Sequence, residues 1–211
     1  MTDTATGLES WVRGELGLVE NLTVLFSAAA LILTAVVILR LGRLLPITLN
    51  LFLVVYCLGC LYFAGEEASW GQHWFGWETG DYFQQVNDQQ ETNLHNTSIW
   101  LDRIPKAVVS LAIFIGGIIA PLYFRSRGRQ VDYQAPFWWL WPTWVCLPTA
   151  VFAITVTWPG KVERYTDLSF YFELSNEMKE FYIGYFFLLF ILSLAKRLNR
   201  MHQQGTEFSP A

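Results

Sequence analysis

The chain has 211 residues, of which 53% are hydrophobic and 17% aromatic but only 15% charged, with a net charge of −4. Soluble domains carry about 25% charge, so a soluble globular class is excluded, and the acidic balance offers no basic surface for nucleic acid. What charge there is falls between five apolar runs, 22–39, 47–64, 107–124, 137–158 and 181–195, which leave no room for a separate soluble domain.

The first four runs contain no charged residue and match the ~17–25 residues that a bilayer-crossing helix needs. The fifth is shorter, but its polar upstream part can be helical too, giving a span of about 178–196. The expected fold is all-α, an integral membrane bundle of five transmembrane helices forming one domain over 1–211. A polar tail from 202 to 211 is expected to be disordered.

The residues before the first run carry Asp3, Glu9, Glu15 and Glu20 against Arg13 alone. A cleaved secretory signal begins with a basic region, so this run reads as a retained span. Leu8, Trp11, Val12, Leu16 and Val19 recur at helical spacing, which predicts a helix lying along the interface. Span one offers Ser27, Ala28, Ala29 and Ala30, small residues that let helices approach. Gly42 and Pro46 mark a short turn into span two.

Span two contains Cys57-Leu-Gly-Cys60. A redox reading would resemble quinone-linked thiol oxidoreductases, but that chemistry calls for a second cysteine pair, and only Cys146 remains. Helix packing is the preferred reading of these thiols. The span then runs straight into Glu66 and Glu67. Carboxylates at a helix C-terminus oppose the helix dipole, and near hydrocarbon they lose solvation. Protonation, a basic partner or a bound cation must compensate.

The stretch 65–96, between spans two and three, is the longest polar run in the chain. It gathers Glu66, Glu67, Glu78, Asp81, Asp88, Glu91, His73 and His95, interleaved with Trp70, Trp74, Phe75 and Trp77. Short interfacial helices are expected within 65–105, broken near Gly76, Thr79 and Gly80. A helix continuing past Glu67 would place Glu66, Trp70, His73 and Trp77 on one face, and Glu67, Gly71 and Trp74 on another. Asn87, Glu91 and His95 follow an i, i+4, i+8 spacing, which on a helix presents a carboxylate and an imidazole to one metal or one substrate. The alternative is that Glu91 orients His95 and both cap an interfacial helix. Asn21-Leu-Thr and Asn96-Thr-Ser match the glycosylation triplet, one that recurs by chance.

The string Gly65-Glu66-Glu67-x-Ser69-Trp70-Gly71-Gln72, then Phe75-Gly76, Glu78-Thr79, Asn87 and Gln90-Glu91-x-Asn93-Leu94-His95-Asn96, resembles a motif of uncharacterised bacterial multi-pass membrane proteins. Those chains read Arg where this one has His73. The resemblance covers about a sixth of the chain and implies a bacterial cytoplasmic membrane location without an activity. Glu66-Glu67 also loosely resembles the Glu-Glu pair of glutamate-dependent intramembrane proteases of the CAAX-processing type. The Arg four residues beyond that pair, and a second histidine motif, are missing here.

In span three, Gly116, Gly117 and Ala120 are expected packing positions. Arg125, Arg127 and Arg129 follow as a topology signal. Span four opens with Phe137-Trp138-Trp139-Leu140-Trp141, and Pro142 and Pro148 are expected to kink it, freeing carbonyls that need partners. In the last helix Glu173, Glu177 and Glu180 fall on one stripe. Three such carboxylates repel unless solvated or bridged. Basic residues following spans one, three and five place those ends in the cytoplasm, so the N-terminus is expected outside, the C-terminus inside, and the acidic groups on the outer face.

Ionisable groups at membrane depth face a protein interior or a wet cavity, so one shared pocket is expected. Its candidate catalytic residues are Glu66, Glu67 and His95. Candidate metal ligands are Glu67, Glu91, His95, Glu173 and Glu177, and further pocket residues are Trp70, Gln72, Asn87, Asn93 and Glu180. A divalent metal is an open cofactor reading. The functional expectation is an enzyme acting on a lipid or lipid-linked substrate at the outer leaflet. The alternative is a non-catalytic accessory or binding subunit whose acidic pocket holds a cation or a membrane-protein partner.

Overall fold

The computed structural model describes residues 17–87, 90–128, 136–163, 165–166 and 175–204, and every regular element among them is helical. Five segments are long and apolar enough to cross a membrane: Leu18–Leu44, Ile47–Glu67, Ile99–Ser126, Phe137–Glu163 and Asn176–Gln203. The protein is thus a helical membrane bundle, as the apolar runs imply. Its main helices are α1 (Leu18–Leu41), α2 (Ile47–Glu67), α3 (Ile99–Ile113), α4 (Leu147–Thr155) and α5 (Ser175–Gln203). Leu18 and Val19 of the expected interfacial segment begin α1, while residues up to 16, Asp88, Arg129 and Glu173 lie outside the described residues. The expected tail boundary is corrected, since α5 carries His202 and Gln203; residues 205–211 are outside the described set.

α1 packs against both α2 and α5. Its buried stripe is Thr23, Ser27, Ala30, Thr34 and Val37, a small-residue face at helical spacing. Its hydroxyls cost little to bury because each bonds its own helix: Thr23 Oγ1 to Val19 O, Ser27 Oγ to Thr23 O and Thr34 Oγ1 to Ala30 O, at 2.9, 2.8 and 2.7 Å. Opposite them stands Gly184 of α5, where a Cβ would fall 2.9 Å from Ser27 Oγ and 3.1 Å from Thr23 O. That absent methyl lets the two backbones approach.

α2 and α5 meet differently, through rings. Phe52 packs on Phe190, and Tyr56 and Phe63 on Phe187, with centroids 5.7–5.8 Å apart. The Tyr56 hydroxyl donates to Phe187 O at 2.6 Å. These long side chains hold the two backbones apart, and where the rings give way to glutamates the space between the helices opens. Cys60 is buried in the same layer and Cys57 is half-buried, both as free thiols.

α3 continues through a π-helical segment, Phe114–Ile119, into Ala120–Ser126. Pro121 has no N–H to return to the carbonyl four residues earlier, and the Ala120 N–H reaches back five residues to Ile115 O. Gly116, Gly117 and Ala120 are buried as expected. Span four departs from expectation. It is a short turn, Pro136–Trp139, a 3₁₀ turn, Trp144–Cys146, and then α4. Pro148 does not kink a helix; it sits in the first turn of α4, where its missing N–H is harmless. The break at Pro142 leaves Trp141 O to accept from Arg197 Nη2 at 3.4 Å, and Arg197 also lies 5.3 Å over the Trp139 ring. Arg125 lies 5.1 Å over Trp144, so this end of the bundle is basic and aromatic.

Candidate functional site

At the opposite end, α2 stops at Glu67 and the chain turns sharply. Ser69, Trp70 and Gly71 have φ of 43°, 55° and 104°, so the expected continuation of the helix, with its two residue faces, is not formed. Two consecutive non-glycine residues in the left-handed region are costly, and their side chains hold them there. The Trp70 indole lies on Gly65, where a Cβ would stand 2.9 Å from the ring. Its Nε1 donates to Glu66 Oε1 at 2.8 Å, and Ser69 Oγ donates to Glu91 Oε2 at 2.7 Å.

Glu66 is 3% exposed and saturated. Its Oε2 accepts from the backbone N–H groups of Leu94 and His95, both at 2.7 Å, and lies 3.2 Å from His95 Nδ1. A carboxylate with these donors is a clamp: it pins the chain entering α3 to the end of α2. His95 is committed to the same clamp.

The expected helical face of Asn87, Glu91 and His95 is corrected, since Asn87 and residues 90–94 are not helical, His95 opens a 3₁₀ turn, His95–Thr97, and Gln90 has φ 56°. The polar residues here satisfy one another. Asn87 Nδ2 donates to Glu91 O and Asn93 Oδ1, both at 2.8 Å; Asn93 Nδ2 bonds Glu91 Oε2. Gln72 donates to Thr79 Oγ1 and accepts from Thr92 N, both at 2.6 Å. Ser69, Thr79, Asn87, Glu91 and Asn93 are therefore the buried polar scaffold of the 65–96 stretch. His73, 8% exposed at its side chain, stands between two carboxylates, Nδ1 3.5 Å from Glu20 and Nε2 3.3 Å from Glu91. The Nε2 contact is an ion-pair approach without aligned hydrogen-bond geometry. Trp74 Nε1 donates to Asn21 Oδ1 at 3.0 Å, a second tie to α1. Asn21 and a buried Thr23 lie inside α1, a poor setting for a glycan acceptor.

This scaffold borders a half-open cavity of about 420 Å³ lined by Glu20, Thr23, Glu66, Glu67, Glu91, His95, Asn96, Lys106, Glu177 and Glu180. The shared pocket expected from the two distant acidic clusters exists: Glu177 and Glu180 of α5 face the same space as Glu66, Glu67 and His95. Trp70, Gln72, Asn87 and Asn93 stand behind its wall as support, and Glu173 is outside the described residues. Glu20 and Lys106 were not expected in it. Lys106 Nζ is 2.8 Å from Asp102 Oδ1 and 3.0 Å from Glu180 Oε1, so it is the basic partner that the acidic end requires. The Asp102-x-x-x-Lys106 spacing was the available signal, hidden by reading span three as starting only after the lysine.

The six carboxylates of the wall are unequal. Glu66 has its clamp, Glu91 its Ser69, Asn93 and His73 contacts, Glu20 its histidine, Glu180 its lysine, and Glu177 is also partnered. Glu67 makes no hydrogen bond or ion pair with the described residues. It is enclosed by protein atoms, the surface it presents is cavity wall, and the charges acting on it come from Glu180, Lys106, Glu20 and Glu66. Among the described residues no three His, Cys, Asp or Glu side chains are gathered as a metal-ligand set.

No family model, curated protein or solved structure matches this chain. Fold and site together define its class: a multi-pass helical membrane protein with a walled acidic pocket at one end of the bundle.

Proposed function

We propose that the protein is a bacterial cytoplasmic-membrane enzyme acting on a lipid or lipid-linked substrate that enters the pocket at the outer face. The N-terminus is outside and the C-terminus cytoplasmic in this reading, supported by Arg40, Arg43, Arg125, Arg127, Lys196, Arg197 and Arg200 lying towards the end away from the pocket. The observation that carries the reading is the unmatched Glu67 carboxylate in a cavity whose other carboxylates all have partners. Glu67 is the general base, taking a proton from the substrate. Lys106, ion-paired with Asp102 and Glu180, offers an N–H to negative charge developing nearby. Glu66 and His95 are positioning residues.

The test incubates purified protein with polar lipid extract in vesicles and follows the lipids by mass spectrometry. A lipid product formed by the wild type and lost in Glu67→Gln, with folding unchanged, supports the enzyme. If the wild type alters no lipid, the second reading takes over. That reading is a non-catalytic subunit holding a cation or a partner, and it is favoured by the commitment of both His73 and His95 to structural contacts.

A further inference from the structure

The chemistry of the cavity wall also selects among ligands. Among the described wall residues, six carboxylates outnumber the one lysine and one histidine that share the cavity, Lys106 and His95, with His73 behind Glu20 and Glu91. At the edge of hydrocarbon such an excess needs a counter-charge. The cavity volume of about 420 Å³ far exceeds the share of one water and falls in the range of small-ligand sites.

Three kinds of cation could answer Glu67. A bare divalent metal needs several converging ligands, and the described residues gather no such set. A quaternary ammonium has no N–H and is held by aromatic faces, yet among the described residues no Phe, Tyr or Trp lines the cavity. A primary ammonium has three N–H donors to place, and the wall supplies acceptor oxygens: the Glu67 carboxylate, with the partnered carboxylates of Glu20 and Glu177 and the partnered Asn96 amide around the same space. Lys106 gives a place beside them for an anionic group.

We propose that the pocket binds a ligand carrying a primary ammonium group, with Glu67 as its principal acceptor. The inference rests on the reading that Glu67 faces an absent ligand, and holds whether or not chemistry follows. The ammonium could belong to a lipid headgroup or to a soluble amine.

The experiment uses the full chain in nanodiscs of phosphatidylglycerol, and follows the melting temperature and bound lipid by native mass spectrometry. Phosphatidylethanolamine, phosphatidylcholine, soluble ethanolamine and Mg²⁺ are added in separate arms. The expected result is stabilisation and retained lipid with phosphatidylethanolamine, and a loss of apparent affinity of tenfold or more in Glu67→Gln. Stabilisation by ethanolamine alone assigns the ammonium to a soluble amine and upholds the ligand class. Equal response to phosphatidylcholine, a response to Mg²⁺ only, or no response in any arm overturns it. Glu67→Asp, which keeps the charge, should retain part of the response, and the ligand-free melting temperature of both variants separates lost binding from lost folding. Binding without a lipid product would uphold this inference while the enzyme reading falls; a product from lipids lacking the amine would do the reverse.

Discussion

The Lys106 ammonium lies 3.0 Å from the Glu180 carboxylate, joining α3 to α5 at the mouth of the acidic cavity. The pair is partly wet, with side-chain exposures of 36% and 19%. Lys106→Met leaves two carboxylates, Asp102 and Glu180, without their cation. The expected loss is about 1–2 kcal/mol, between the values for exposed and buried pairs. Lys106→Met/Glu180→Gln should lose less than the two single variants together. A double-mutant cycle by denaturant titration in micelles checks this; strict additivity would mean that the two side chains do not interact.

Neighbouring glutamates of α2 should behave oppositely. Glu66→Gln retains one carbonyl oxygen for the Leu94 and His95 N–H groups but turns an NH₂ towards Trp70 Nε1, costing about 1–3 kcal/mol. Glu67→Gln removes no contact among the described residues and places no unpaired charge in the cavity, so stability should be unchanged or slightly raised. Thermal melts of the two variants under one condition decide the point. A larger loss at Glu67 than at Glu66 would show that the clamp and the free carboxylate have been assigned the wrong way round.

Gly184→Ala drives a methyl against Ser27 Oγ and the Thr23 carbonyl. Separation of α1 from α5 should cost about 1–3 kcal/mol and widen the cavity mouth, whose wall includes Glu20 and Glu177. Adding Ser27→Ala removes the nearer of the two contacts and should recover part of the loss. An unchanged melting temperature for Gly184→Ala would contradict the close approach.

The proposed orientation makes its own prediction. In a background freed of Cys57, Cys60 and Cys146, single cysteines at exposed Gln90 and Tyr165 should react with a membrane-impermeant maleimide in intact spheroplasts. Cysteines at exposed Arg43 and Arg127 should react only after lysis. Labelling of position 127 from outside would reverse the assignment of the two faces.

The bundle was legible in the chain because crossing a bilayer imposes a demand that composition alone can answer: long uncharged runs, small residues such as Ser27 and Ala30 where helices touch, and basic residues at alternate ends. The acidic pocket was half legible for the same reason, since carboxylates at that depth have to share a wet space or be matched. The assignment of roles within it was not. Helical spacing grouped Glu91 with His95 and Glu66 with His73, but the left-handed turn at Ser69 and Trp70 ends the helix after Glu67, and the non-helical chain from Gln90 to Leu94 voids the grouping of Glu91 with His95 too. Tertiary structure alone brought Glu66 to the backbone of Leu94 and His95, set His73 between Glu20 and Glu91, and carried Lys106 to Glu180. Which carboxylate stays free depends on which donors arrive from distant segments, and no local pattern encodes that; packing decided that it is Glu67.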